Sequence, residues 1–240
     1  MTARQNLNVL ITGGSGPSGI AVARALREAG FNVFTVGSDS ARIAAAAAAA
    51  GGGVTALTCD LASLPEVREL RGTLLETAGR IDGVIHLVGG WRGAKGITDQ
   101  SDEDWAFLER NAITTLRNVT RVFYDELAAS KTGRFAMVSS TAVSAPAAGI
   151  ASYAAAKAAA EAWTMAVAQG FRSGQAENPD GSSAAVVLVV KALVDAGMRQ
   201  AAPERKFPGY TDVDELGAAV VRLFSTPAAE LNGQRILLTP

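Results

Sequence analysis

The chain is 240 residues long, 48% hydrophobic and 19% charged, with a formal net charge of −1. That composition supports a packed core, and without a Lys/Arg cluster it offers no electrostatic footprint for nucleic acid. The single cysteine, Cys59, excludes an internal disulfide framework. No run of about 18 apolar residues marks a membrane span, and the first apolar strand begins too early for a secretory leader, which points to the cytoplasm.

In chain order, residues 8–11 read as a short apolar strand, followed by the turn Thr12-Gly13-Gly14-Ser15-Gly16-Pro17-Ser18-Gly19 and a helical pattern over 20–26. A strand, a glycine turn and a helix in that order suit a bound pyrophosphate. Glycine lets the backbone approach closely, and a helix amino terminus offers unpaired N–H groups. Further strands are predicted at 32–36, 54–58, 83–88, 133–139, 184–190 and 234–238. Their lengths and Val/Ile/Leu content suit a sheet buried on both faces with helices between, so a doubly wound, mostly parallel α/β fold is expected over residues 1–240 as a single domain. The seven alanines from Ala44 to Ala50 precede Gly51-Gly52-Gly53, which predicts a covering helix with a glycine stop. Residues 172–183, with Gly174, Pro179, Asp180 and Gly181, predict a surface loop.

Tyr153 and Lys157 stand four residues apart, with Ser139-Ser140 upstream. On a helix the phenol and ammonium share a face, and a nearby cation is expected to draw the tyrosine's pKa down from about 10, toward a value useful for proton transfer. A serine from the preceding strand end suits holding a carbonyl or hydroxyl against the tyrosine. The same spacing also occurs on ordinary amphipathic helices.

The order and spacing of these motifs resemble the short-chain dehydrogenase/reductase family over nearly all of the chain. The resemblance implies a Rossmann-fold oxidoreductase that moves hydride between nicotinamide and a carbonyl or alcohol substrate. In it Tyr153 is the general acid/base, Lys157 binds the nicotinamide ribose and lowers the tyrosine's pKa, Ser140 orients the substrate, and Asn111 helps organise a proton-relay water. It assigns Gly13, Ser15, Gly16, Gly19, Ser38, Asp60 and Gly89, with Lys157, to the dinucleotide, Asp60 at the adenine. It also implies a homodimer or homotetramer built on the helices carrying Asn111 and Tyr153.

The chain departs from the family pattern in several places. Pro17 occupies the middle glycine of T-G-x-x-x-G-x-G, so that Gly13, Gly16 and Gly19 fit the T-G-x-x-G-x-x-G spacing of longer members. His86-Leu87-Val88-Gly89 replaces Asn-Asn-Ala-Gly, and Lys191 and Ala196 stand where Pro and a nicotinamide-contacting Thr are usual. Lys191 is read either as a pocket cation or as a solvent-facing residue. Gly37 closes the second strand without the carboxylate that binds a 2′-hydroxyl, while Ser38 and Arg42 suit a 2′-phosphate. NADP(H) is therefore favoured over NAD(H), with Asp39 nearby keeping NAD(H) open. Val88-Gly89-Gly90-Trp91-Arg92-Gly93 and the short tail resemble dihydropteridine reductase, against which Ser140 argues. A non-catalytic dinucleotide-binding protein is the remaining alternative. His86, the lone histidine, and Trp91, Trp105 and Trp163 are read as packing residues, with Trp91 also placed to line a pocket.

Overall fold

The computed structural model describes residues 7–177 and 182–238. Among them are nine strands: β1 (Asn8–Thr12), β2 (Asn32–Gly37), β3 (Val54–Thr58), β4 (Gly83–His86), β5 (Arg134–Ser140), β6 (Ala184–Val190), β7 (Leu193–Val194), β8 (Thr211–Asp212) and β9 (Arg235–Leu237). Seven of them form one sheet in the order β3-β2-β1-β4-β5-β6-β9, every pairing parallel. β7 and β8 form a separate parallel pair. The strand order reverses between β1 and β4, and the crevice at that switch point is where such sheets hold ligands.

Alternate side chains of the strands serve opposite faces. Leu10, Val84, Phe135, Met137 and Val187 belong to one apolar cluster, while Val9, Ile11, Ile85, Ala136 and Val186 belong to the other. The first is covered by α3 (Leu64–Ala78), α5 (Thr115–Ala129) and α6 (Ala151–Glu177), the second by α1 (Pro17–Glu28), α8 (Val213–Leu223) and α9 (Ala228–Leu231). The alanine run forms α2 (Ser40–Ala50), and the short α7 (Ala196–Ala201) follows β7. Helix α2 buries Ile43, Ala46, Ala47 and Ala50, a one-face spacing, and stops at Gly51, whose φ of 105° favours glycine. The opposite end of the sheet is closed by Arg134, 3% exposed, which donates to the carbonyls of Leu223, Gly133, Ser182 and Thr226.

Two expectations need correction. The segment predicted as a loop from residue 172 is helical as far as Glu177. Buried Phe171 stacks on Tyr124 with centroids 4.9 Å apart, and Gln175 Nε2 donates to the Ser183 carbonyl at 2.7 Å. These contacts outweigh the modest helix cost of Gly174, roughly 1 kcal/mol. Pro179, Asp180 and Gly181 lie outside the described residues. The fourth strand stops at His86 rather than at residue 88, because the chain there passes over the glycine turn. A Cβ on Gly13 would lie 2.8 Å from both the Leu87 carbonyl carbon and the Val88 nitrogen.

Candidate active site

Four glycines, Gly13, Gly14, Gly16 and Gly19, shape the turn after β1 and the start of α1. Gly13 has φ of 77°, and its amide and that of Gly14 donate to the Val36 carbonyl. A Cβ on Gly19 would come within 2.6 Å of the Gly14 backbone, so this glycine lets α1 pack onto the turn. Gly16 is the N-cap of α1 without a side-chain cap, and Pro17 takes the first helical position, where its missing donor is harmless. The turn lines a cavity of about 520 Å³ together with Ser15, Ser38, Asp60 and Asn111. Bare glycine backbone and an uncapped helix amino terminus fit the pyrophosphate of a dinucleotide.

An adjoining cavity of about 730 Å³ is lined by Ser140, Tyr153 and Lys157, and Leu87 and Gly89 line both. Ser140 ends β5, and its Oγ accepts from the Ala142 amide at 3.1 Å as the chain turns away from the sheet. Tyr153 and Lys157 lie in the first turns of α6 and share the cavity-facing side of the helix. Burial raises the Tyr153 phenol above its ordinary value, offset in part by the neighbouring Ser140 hydroxyl. The expected lowering by Lys157 is not found. The lysine's amine donates instead to the Val138 carbonyl at 2.9 Å, and burial lowers its own pKa to about 8, with Glu161 opposing. Gly89 makes room for that amine, since a Cβ there would stand 3.3 Å from Nζ.

Asn111 sits in a π-helical turn, Glu109–Thr114, that joins α4 (Asp102–Leu108) to α5. Its Nδ2 donates to the Phe107 carbonyl at 2.8 Å. The Thr115 hydroxyl donates to the Asn111 carbonyl at 2.7 Å, so it is an acceptor toward His86 Nε2 at 3.3 Å. His86 Nδ1 then accepts from the Thr12 hydroxyl at 2.8 Å. This chain fixes one neutral tautomer, in keeping with a histidine whose burial lowers its pKa to about 3. Gln100 ties the loop after β4 to the start of α6: its Nε2 donates to the Ala148 carbonyl and its Oε1 accepts from the Ser152 amide.

The family model described as short chain dehydrogenase matches residues 7–204. The chain belongs to the short-chain dehydrogenase family. No curated protein matches it. Among solved structures it is similar to NAD+-bound xylitol dehydrogenase, with a TM-score of 0.82 at 19% identity over 98% of this chain and 99% of that one. It is also similar to an NADPH-bound short chain oxidoreductase from Pseudomonas aeruginosa PAO1 containing an atypical catalytic center, with a TM-score of 0.82 at 21% identity over 97% and 96% of the two chains. A short-chain type dehydrogenase/reductase from Mycobacterium ulcerans gives a TM-score of 0.82 at 21% identity over 98% and 88%. These likenesses speak to the fold, and family membership supports a nicotinamide-dinucleotide-dependent oxidoreductase.

Measured against the family pattern, the nominated residues divide between the two cavities. Ser140, Tyr153 and Lys157 share the larger one, while Asn111 lines the smaller with Gly13, Ser15, Gly16, Ser38 and Asp60. Gly19 acts through packing and lines neither. Asp60 is engaged on two sides, accepting from the Ala62 amide and pairing with Arg110 at 2.6 Å. Trp91, 63% exposed, borders the larger cavity, whereas Trp163 donates to Thr120 on the neighbouring helix. Lys191 lines the larger cavity and donates to the Pro208 carbonyl at 2.9 Å. Sequence reasoning missed Gln100 and Thr115. Thr115 had a legible signal, four residues after Asn111 and so on the same helix face; Gln100 had none, because its partners are distant in sequence.

Proposed function

We propose that this short-chain dehydrogenase interconverts a carbonyl compound and the corresponding alcohol, with Tyr153 as general acid/base and NADP(H) preferred. The observation that carries this reading is the shared cavity of Ser140, Tyr153 and Lys157, which meets the glycine-lined cavity at Leu87 and Gly89. A bound nicotinamide dinucleotide supplies or accepts the hydride. Ser140 is the candidate for holding the substrate oxygen, Lys157 for the nicotinamide ribose, and Asn111 for a relay water. With its pKa raised, Tyr153 is a phenol at neutral pH, which suits donating a proton to the oxygen formed by carbonyl reduction. Alcohol oxidation needs the phenolate, so its rate should climb as pH becomes alkaline while reduction is sustained near neutrality.

The NADP(H) preference rests on Ser38 and Arg42, which line the smaller cavity beside Gly37. Asp39 lines the same cavity, and its carboxylate is engaged as the N-cap of the second helix, accepting the Arg42 amide at 2.8 Å. Calorimetric titration should give tighter binding of NADPH than NADH, and Arg42→Ala should narrow the gap. Gly37→Asp should reverse the order once Ser15 rotates, since the new Cβ would lie 2.4 Å from Ser15 Oγ. Equal affinities in the unmodified protein would sink the preference.

The activity is tested by following NADPH oxidation across ketones, quinones, keto-esters and quinonoid pterins. Tyr153→Phe should lower turnover by about 10²- to 10⁴-fold, the usual worth of a positioned acid, while dinucleotide binding stays within a few-fold. Wild-type turnover in that variant would remove Tyr153 from the role.

A further inference from the structure

Resting on that reading of the larger cavity, we propose that the substrates are oxo acids and their hydroxy acids, with Lys191 as the residue that binds the carboxylate. Lys191 follows the last residue of β6, and that residue, Val190, is the Cα partner of Ser140 across the β5–β6 ladder. Neighbouring strands lie roughly 4.8 Å apart, so the lysine starts one residue beyond the position facing the serine, well within side-chain reach of a molecule held there.

The charge pattern of the cavity gives that lysine a purpose. Among the described residues two lysines line it, and no aspartate or glutamate does. Lys157 is buried with its amine on the Val138 carbonyl. The exposed Lys191 makes one hydrogen bond, to Pro208, and no ion pair among the described residues. Two of its three N–H donors remain for a ligand. Arg205 reinforces the same sign at the rim, donating to the Tyr210 hydroxyl at 3.0 Å, and Tyr210 lines the cavity. Much of the remaining wall is apolar, with Ile150, Leu193, Met198 and Trp91. A cation with no counter-charge beside an apolar wall selects an anion carried on an alkyl or aryl body. The carboxylate takes no part in bond making. The ketone carbon gains the hydride, its oxygen gains the Tyr153 proton, and the products are the hydroxy acid and the oxidised dinucleotide.

The phosphates of the dinucleotide are the competing source of negative charge for Lys191, and the experiment separates the two. Purified protein is assayed with NADPH on matched acids and esters: benzoylformate with methyl benzoylformate, and acetoacetate with ethyl acetoacetate. Wild type should favour one of the acids over its ester by about 10- to 100-fold in kcat/KM, the range of a hydrogen bond to a charged group. Lys191→Met should abolish that preference through KM, leaving the ester and the NADPH dissociation constant within two-fold, and Lys191→Arg should keep it. As a readout without turnover, benzoate should quench tryptophan fluorescence of the NADP+ complex of wild type but not of Lys191→Met. Equal use of acid and ester by wild type, or a preference that survives Lys191→Met, overturns the proposal. A loss of NADPH affinity in Lys191→Met assigns the lysine to the dinucleotide phosphates and also overturns it. Lys191-dependent benzoate binding without reduction of any carbonyl would instead uphold the carboxylate site and remove the oxidoreductase reading.

Discussion

His86 is the chain's one histidine and is 2% exposed, held between Thr12 and Thr115. Burial lowers its pKa from 6.5 to about 3, the charge of Lys157 adding to the effect. The unfolded chain therefore binds a proton that the folded chain refuses, so stability falls as pH drops from the unfolded value toward the folded one. The slope is about 1.4 kcal/mol per pH unit, or roughly 2 kcal/mol between about pH 6.5 and 5, above the range where carboxylates titrate. Urea denaturation at several pH values should show this loss in the wild type, and His86→Asn should flatten it. A wild-type stability that is level across the window would disprove a buried neutral histidine. Because Thr115 also bonds to Asn111, the same residue links the sheet to the turn that carries a proposed relay residue.

At the scale of elements, the glycine turn and α1 work as one unit in which each glycine has its own physical task. Gly16 has φ of −93°, and a Cβ there would meet nothing within 4 Å, whereas one on Gly19 would strike the Gly14 backbone. Gly16→Ala should leave the melting temperature of the ligand-free protein unchanged but reduce the rise produced by NADPH, because its methyl would stand in the cavity the turn lines. Gly19→Ala should lower the melting temperature with and without dinucleotide, at a cost of about 1–3 kcal/mol for an overpacked contact. Thermal scans of the two variants check both outcomes, and identical behaviour would refute the division of labour. Pro17 is compatible with this design since it occupies the first helical position of α1.

At the scale of the molecule, α6 turns its buried side to the sheet and leaves Ala155, Ala158, Ala159, Ala162 and Ala166 exposed. Small residues along one helix face permit close approach of a second helix, and a two-fold axis would use that face twice. We expect at least a dimer by light scattering after gel filtration at micromolar concentration, with Ala158→Arg or Ala162→Arg lowering the mass. A monomer at every accessible concentration would count against this assembly. No helix among the described residues is long and apolar enough to cross a membrane.

The sequence by itself determined the seven strands of the main sheet, the strand–glycine turn–helix unit, the alanine helix and the Tyr153–Lys157 pair on one face of a helix. Each of these is written in short-range patterns: apolar runs, glycine positions and the four-residue period of a helical turn. What the tertiary structure decided depends on groups far apart in the chain. Lys157 reaches Val138 rather than Tyr153, and burial by neighbouring elements moves the tyrosine's pKa upward instead of downward. The last turns of α6 persist because Phe171 meets Tyr124, and Gln100 finds its partners before and within the start of α6. Lys191 was legible as a departure from the family pattern, but its place in a cavity that no carboxylate lines among the described residues follows from β6 lying beside β5. Local periodicity can specify a helix or a strand; which distant carbonyl receives an amine, and how much water is excluded from a phenol, are set only when those elements pack.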